Sequence, residues 1–374
     1  MRWPKHPAEK VRRSRFRPPF CPWPECSAHV GPTAGFPRAG TYRLKHDPKR
    51  IPRFKCKACG RTCSRKTFSA TYYLKRPELL VGVASGLVAG SAHRQIARSA
   101  RCAKTTVSRM ADRLGRHAIL FHARCLREQI SEPIVHDHFE TFIGRQDQAL
   151  GIGTAVGANS WFVYDIDPAL HRGSGRRPDR RRGTLLHPSK AYVRSIRRTM
   201  RTLLARISTS ERLHCRVDGR VDYPAAVMGS LASRVRLSVY PNPKRGPKGS
   251  PRTAEAQLRD WAMFPADQLH QLIRHTCADH KRETIAFGRR LESIVGRAHL
   301  VAVWRNFIKR RTERRPDKTT PAMRLGLATK RWEWDRIFTR RLFPRRERLS
   351  KSAQALYWKR WTPAMPALER RHAA

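Results

Sequence analysis

Asp137, in Ile134-Val135-His136-Asp137-His138-Phe139-Glu140, and Asp218, in Cys215-Arg216-Val217-Asp218-Gly219, are the side chains best placed for chemistry. Each sits within or at the end of a segment with strand-like alternation. If those strands pair as neighbours, the two carboxylates can share a divalent ion or a pair of ions, the arrangement that phosphoryl transfer uses to activate an attacking and a leaving oxygen. Asp218 beside Gly219 equally suits a turn. Glu140 has opposite parity to Asp137 on a regular strand and is expected to face elsewhere.

Asp137 belongs to a wider acidic island. Residues 128 to 170 hold seven carboxylates (Glu128, Glu132, Asp137, Glu140, Asp147, Asp165 and Asp167) and one Lys or Arg, Arg145, in a chain whose net charge is 79 − 28 = +51. Repeated phosphate contacts account for the excess of base, so a local inversion needs its own cause. Oxygen ligands for a metal ion supply one, and a solvated acidic face is the plainer alternative. A basic chain with an acidic pocket points to an enzyme that cuts or joins nucleic acid.

At 374 residues with 40% hydrophobic content, the chain can bury the cores of two or three domains and is no disordered basic tail. Its pI near 11.5 implies salt-sensitive attraction to DNA or RNA. Met1 to Arg17 is basic and interrupted by prolines, unlike a secretory signal. The longest apolar run, Leu79 to Gly90, falls well short of the ~20 residues that span a bilayer. A cytoplasmic, nucleoid-associated protein with no membrane partner is therefore expected.

Nine cysteines in such a chain argue for metal ligation by some and burial of the others. Cys21-Pro-Trp-Pro-Glu-Cys26 and Cys56-Lys-Ala-Cys59 form two close pairs, which a β-hairpin would bring together as four soft ligands for a structural zinc ion. Cys63 is a weaker fifth candidate. Cys102, Cys125, Cys215 and Cys277 are isolated and read as packed thiols.

A helical region follows from Lys75 to Arg127. Within it, Ile96, Ala100, Val107, Met110 and Leu114 would bury the inner faces of two short helices joined by a tight turn. Thr105 suits the cap of the second helix, whose outer face would carry Thr106, Arg109 and Arg113 toward DNA. Strand-like segments then begin at Ile134 and recur at Ala149 to Val156 and Trp161 to Ile166, around the turn residues Gly157-Ala158-Asn159-Ser160. Residues 171 to 189 read as a loop. Ala191 to Ser208 follows as a helix, with strands at Leu213 to Asp218 and Val235 to Tyr240 separated by the helix-like Pro224 to Ser233. Pro241 to Pro251 reads as a linker, Pro265 to His280 and Glu283 to Arg311 as helices, and the tail from Arg314 as basic and aromatic. Trp304, with Val301 and Phe307, suits a core, while Trp332, Trp334, Trp358 and Trp361 suit packing or base stacking equally.

Taken together, a ribbon ending Arg53-Phe54-Lys55-Cys56-Lys57-Ala58-Cys59-Gly60-Arg61-Thr62, a helix-turn-helix and His136-Asp137-His138-Phe139-Glu140-Thr141-Phe142 resemble bacterial insertion-sequence transposases of the DDE class. Val217-Asp218-Gly219-Arg220-Val221-Asp222-Tyr223-Pro224, Trp304-Arg305-Asn306-Phe307-Ile308-Lys309 and Thr319-Thr320-Pro321-Ala322-Met323 extend the resemblance over residues 20 to 345. It implies a ribonuclease H-like core, two Mg²⁺ or Mn²⁺ ions, and three carboxylates acting on double-stranded DNA at element ends and target. A homo-oligomer assembled on DNA goes with it.

By the resemblance the third carboxylate lies on the helix before Trp304, where Glu292 is the match. An acidic residue directly before an Arg is expected in this region, and here Gly296 precedes Arg297. Glu292 lies four residues earlier on the same helix face. Should it not reach the metal, the implied protein is a catalytically degraded DNA-binding protein or repressor. The expected architecture is multidomain: a zinc ribbon at 18–70, an all-α helix-turn-helix domain at 75–127, an α/β ribonuclease H-like catalytic core with a helix-flanked mixed sheet at 130–312, and a basic extension at 313–374.

Overall fold

Poor in apolar residues, the N-terminal segment folds around its cysteines. Strands β1 (Arg38–Leu44), β2 (Asp47–Lys55) and β3 (Thr62–Ser64) form an antiparallel sheet in that order. Cys21, Cys56 and Ala28 make one small core beneath Trp23 and Phe36. Phe54 packs edge-on against Phe16, which with Phe20 also meets Phe68. The computed structural model describes residues 16–32, 35–44, 47–126, 130–170, 190–244, 246–247, 249–281, 284–313 and 317–361. They form two compact units, Met1–Tyr73 and Leu74–Ala374. The loop expected at 171–189, and Glu128, lie outside the described residues.

The second unit opens with α1 (Leu79–Val88), α2 (His93–Ser99) and α3 (Lys104–Cys125). Gly86 of α1 lets Ile96 of α2 approach: a Cβ there would stand 2.9 Å from Ile96 Cγ1. Instead of a second short helix, α3 is a single helix of 22 residues. Its N-cap is Ala103, with no side-chain cap bond, so Thr105 lies inside the first turn and does not cap it.

Alternation from Ile134 onward builds a five-stranded sheet from β4 (Ile134–Ile143), β5 (Arg145–Gly157), β6 (Val163–Leu170), β7 (Leu213–Val217) and β8 (Val235–Val239), ordered β6-β5-β4-β7-β8. The first three are an antiparallel meander. After α4 (Ala191–Leu204), β7 runs parallel to β4, and after the short α5 (Asp222–Ala226), β8 runs parallel to β7.

Two long helices follow, α6 (Ala254–Thr276) and α7 (Leu291–Phe307). Sequence reading begins the first at Pro265, yet α6 starts eleven residues earlier, where Thr253 Oγ1 accepts from Ala256 N, and carries Pro265 in its interior. Proline removes one helical hydrogen bond, and the buried face Ala262, Met263, Ala266, Leu269 and Ile273 offsets that loss by packing. The helix α7 lies along α3. A Cβ on Gly115 would stand 3.1 Å from Gly296 C, and one on Gly296 would stand 3.3 Å from Gly115 Cα. That crossing ties the helices before the sheet to the rest of the unit.

The short helices α8 (Pro321–Arg324), α9 (Trp334–Ile337) and α10 (Lys351–Trp358) complete the described chain. Trp332 packs on Phe307 and Phe121, and Trp334 stacks on Phe338, so these two tryptophans serve packing.

Candidate active site

Parallel pairing of β4 with β7 matches Ile134 to Cys215 and Val135 to Arg216. Carried three residues past the first pair, the same register sets Asp137 opposite Asp218, at one level of two neighbouring strands. Asp218 lies just beyond the end of β7, and its Oδ1 accepts from Arg220 N at 3.2 Å, so it shapes a turn as well as facing its neighbour. Gly219 keeps that turn close to the following chain: a Cβ there would stand 2.9 Å from Pro241 Cβ.

Helix α6 supplies what sequence reading missed. Met263 and Ala266 pack on Val135 of β4, which turns the next residue, Asp267, toward the same region. Burial, then Asp218, and then Asp267 push the Asp137 carboxyl up to about 7, against Arg259 and the His138 N–H, which favour the ionised form. Burial likewise raises Asp218, opposed by the Arg220 N–H, Arg220 and Arg259. Arg259 itself donates from Nη1 to Asp267 Oδ2. One guanidinium therefore binds the third carboxylate and lends positive charge to the other two.

His270, one turn after Asp267, completes this corner. Its Nδ1 lies 3.7 Å from Asp137 Oδ2, and its Nε2 lies 2.8 Å from Thr154 Oγ1. Burial, with Arg274 nearby, lowers its pKa to about 3, so the ring is neutral. On the neighbouring helix α5, the Tyr223 hydroxyl donates to His136 O at 2.9 Å.

Glu292 is placed elsewhere. With Ser293, Gly296 and Arg297 it lines a cleft against His93, Ser108 and Asp112 of α2 and α3. Gly296 packs on Gly115, where an added Cβ would stand 3.3 Å from Gly115 Cα.

Among the described residues, other acids of the island have partners of their own. Glu132 accepts from Asn159 N, Ser160 N and the Tyr164 hydroxyl, clamping the turn between β5 and β6. Glu140 receives the Tyr192 hydroxyl, and Asp167 is held bidentately by Arg198. Asp165 lies beside Asp167 and Thr199, and burial pushes it up to about 7. Among the described members, Asp137 is the one that meets carboxylates from other elements.

No protein-family model matches this chain, and no curated protein does.

Among the described residues, two groups bring three or more metal-ligating atoms within 4.8 Å of one another, and the four cysteines of the first unit are one. Cys21 Sγ lies 3.6 Å from Cys59 Sγ, and Cys26 Sγ lies 3.8 Å from Cys56 Sγ. Tetrahedral zinc with bonds of about 2.3 Å sets its sulfurs roughly 3.8 Å apart, so the thiols fit the ion. Gly60, at φ 71°, lets its N–H reach Cys56 O at 2.8 Å, closing the Cys56–Cys59 turn. Cys63 is buried outside this set. The Asp137, Asp218 and Asp267 oxygens are not so closely gathered, and Arg259 holds one of them.

At the turn between α2 and α3, Arg94, Arg98, Arg101 and Lys104 line an open basic depression. Thr105 and Arg109 are exposed on α3 and Thr106 is half-buried, whereas Arg113 lies among Arg341, Arg116 and Tyr357. Of the expected DNA-facing residues, Arg113 is therefore turned toward the C-terminal segment. Among the described residues, no helix is long and apolar enough to cross a membrane.

Proposed function

We propose that this chain is an insertion-sequence transposase of the DDE class, with Asp137, Asp218 and Asp267 as its carboxylates. The observation that carries the reading is the meeting of Asp137 and Asp218 at one level of adjacent parallel strands, with Asp267 brought beside them by α6. An antiparallel meander joined to two parallel strands in the order β6-β5-β4-β7-β8 suits the ribonuclease H-like core that the resemblance implies. The four cysteines serve as a zinc ribbon, and α2 and α3 as a helix-turn-helix whose basic turn meets phosphates.

Magnesium or manganese, when bound, would supply activation of water or a 3′ hydroxyl and neutralisation of the leaving oxygen. The chain's own groups prepare for it. Burial raises the proton affinity of both Asp137 and Asp218, and Asp218 raises that of Asp137 further, so a divalent cation would offset the cost of ionising them. Arg259 balances the charge of Asp267 meanwhile. His270, neutral and held by Thr154, stands 3.7 Å from Asp137 Oδ2 without adding charge. No covalent intermediate on the protein is required.

A DNA-binding protein without catalysis is the second reading, favoured by the ion pair between Arg259 and Asp267. Incubation of the chain with oligonucleotides carrying the element ends, in Mg²⁺ or Mn²⁺, separates the two. Cleaved and joined products are expected; specific binding with no product under either metal would leave the second reading.

A further inference from the structure

The second group of ligand atoms lies where α6 ends. Cys277, Asp279 and His280 follow one another in a single turn, each at most 2% exposed, with one ligand atom from each within 4.8 Å of the others. Nothing in the proposed DNA chemistry uses them.

His280 is the telling member. Its ring is buried, and neither Nδ1 nor Nε2 reaches a partner in hydrogen-bonding geometry. The Ile294 backbone lies near enough to favour its protonated form, but burial outweighs that and lowers its pKa. A buried imidazole so poorly partnered is costly unless something else binds it. Asp279 is only half spoken for: its Oδ1 accepts from Arg297 Nη1 at 2.9 Å. Cys277, wholly buried, presents sulfur to the same point.

We infer that Cys277, Asp279 and His280 bind a second structural metal ion, a borderline divalent cation of the zinc class. Thiolate, imidazole and carboxylate together are the donor set such an ion prefers over magnesium or calcium. Binding releases the Cys277 thiol proton to solvent and leaves the fourth tetrahedral position to a non-protein ligand. Arg297 stays on Asp279 as the outer partner that orients a ligating carboxylate. Its other arm extends the effect, since Arg297 Nη2 lies 2.7 Å from His93 Nε2, and His93 Nδ1 lies 3.0 Å from Ser108 Oγ. The ion would thus anchor the α6–α7 connection to the helices at the basic turn.

The test is zinc stoichiometry of the full-length chain by mass spectrometry. Two ions per chain are expected, falling to one in Cys277→Ser and to one in Cys56→Ser/Cys59→Ser. A count unchanged by Cys277→Ser overturns the inference. If that buried substitution prevents folding, the ribbon variant decides: one retained ion, giving a thiolate-to-metal charge-transfer band on exchange with Co²⁺, supports the site, and no retained ion overturns it. The two outcomes are separable, because a single ion that is lost with Cys56→Ser/Cys59→Ser and kept in Cys277→Ser would support the ribbon and overturn this site.

Discussion

Asp137 and Asp218 stand three residues beyond a paired position, Ile134 with Cys215, of parallel neighbouring strands, and Asp218 raises the proton affinity of Asp137. Two acids are held close at a cost to their ionisation. A cation repays that cost, so Asp137→Asn should lower metal-dependent cleavage by about 10³-fold or more, a loss of several kcal/mol. End binding, read by gel shift, should change little because the basic turn lies on α2 and α3.

Asp267 and Glu292 divide the claim to be the third carboxylate. Asp267→Asn should match the loss in Asp137→Asn, while Glu292→Gln should keep strand transfer within about threefold of the native rate. A strand-transfer assay on both variants decides it. The reverse ranking would return the role to Glu292 and require α7 to turn.

The raised Asp137 carboxyl makes a signed prediction about stability without metal. Its folded pKa of about 7 exceeds its ordinary 3.8, so the fold keeps a proton that the unfolded chain releases between those values. Its contribution is favourable at low pH and is lost as pH rises toward 7. The stability of Asp137→Asn relative to the native chain should therefore grow from pH 4 to pH 7 and then level off, as measured by urea unfolding. Buried histidines such as His270 slope the other way, which is why the difference between variants is the quantity to read. Added Mg²⁺ should raise the native melting temperature at pH 8 more than at pH 5.

The helix crossing at Gly115 and Gly296 offers a test remote from the chemistry. Gly115→Ala puts a methyl 3.1 Å from backbone that cannot swing aside, and Gly296→Ala puts one at 3.3 Å. Overpacking should cost about 1–3 kcal/mol for Gly115→Ala and less for Gly296→Ala in chemical denaturation. Equal or stabilising effects would show that α3 and α7 are not locked together.

At the basic turn, Arg109 and Arg113 should behave differently. Exposed Arg109 is free to meet bases, and Arg109→Ala should weaken binding to element ends by ~1–3 kcal/mol while changing random-DNA affinity less. Arg113→Ala, packed beside Arg341 and Tyr357, should affect melting temperature before specificity.

Sequence alone carried what is local. Cysteine spacing named the four thiols that gather, and strand alternation with its parity singled out Asp137 over Glu140. The apolar spacing around Ile96 and Val107 set two helices about a tight turn. Each of these signals is written within a few residues by bond geometry and periodicity. Long-range packing decided the rest. Which acid joins Asp137 depends on how α6 crosses β4 through Met263, Ala266 and Val135, and on Gly115 and Gly296 turning Glu292 toward α3. Nor could composition tell that Glu132, Glu140 and Asp167 have private partners, because Tyr164, Tyr192 and Arg198 lie 31 to 52 residues away in sequence and meet them only once the sheet has formed.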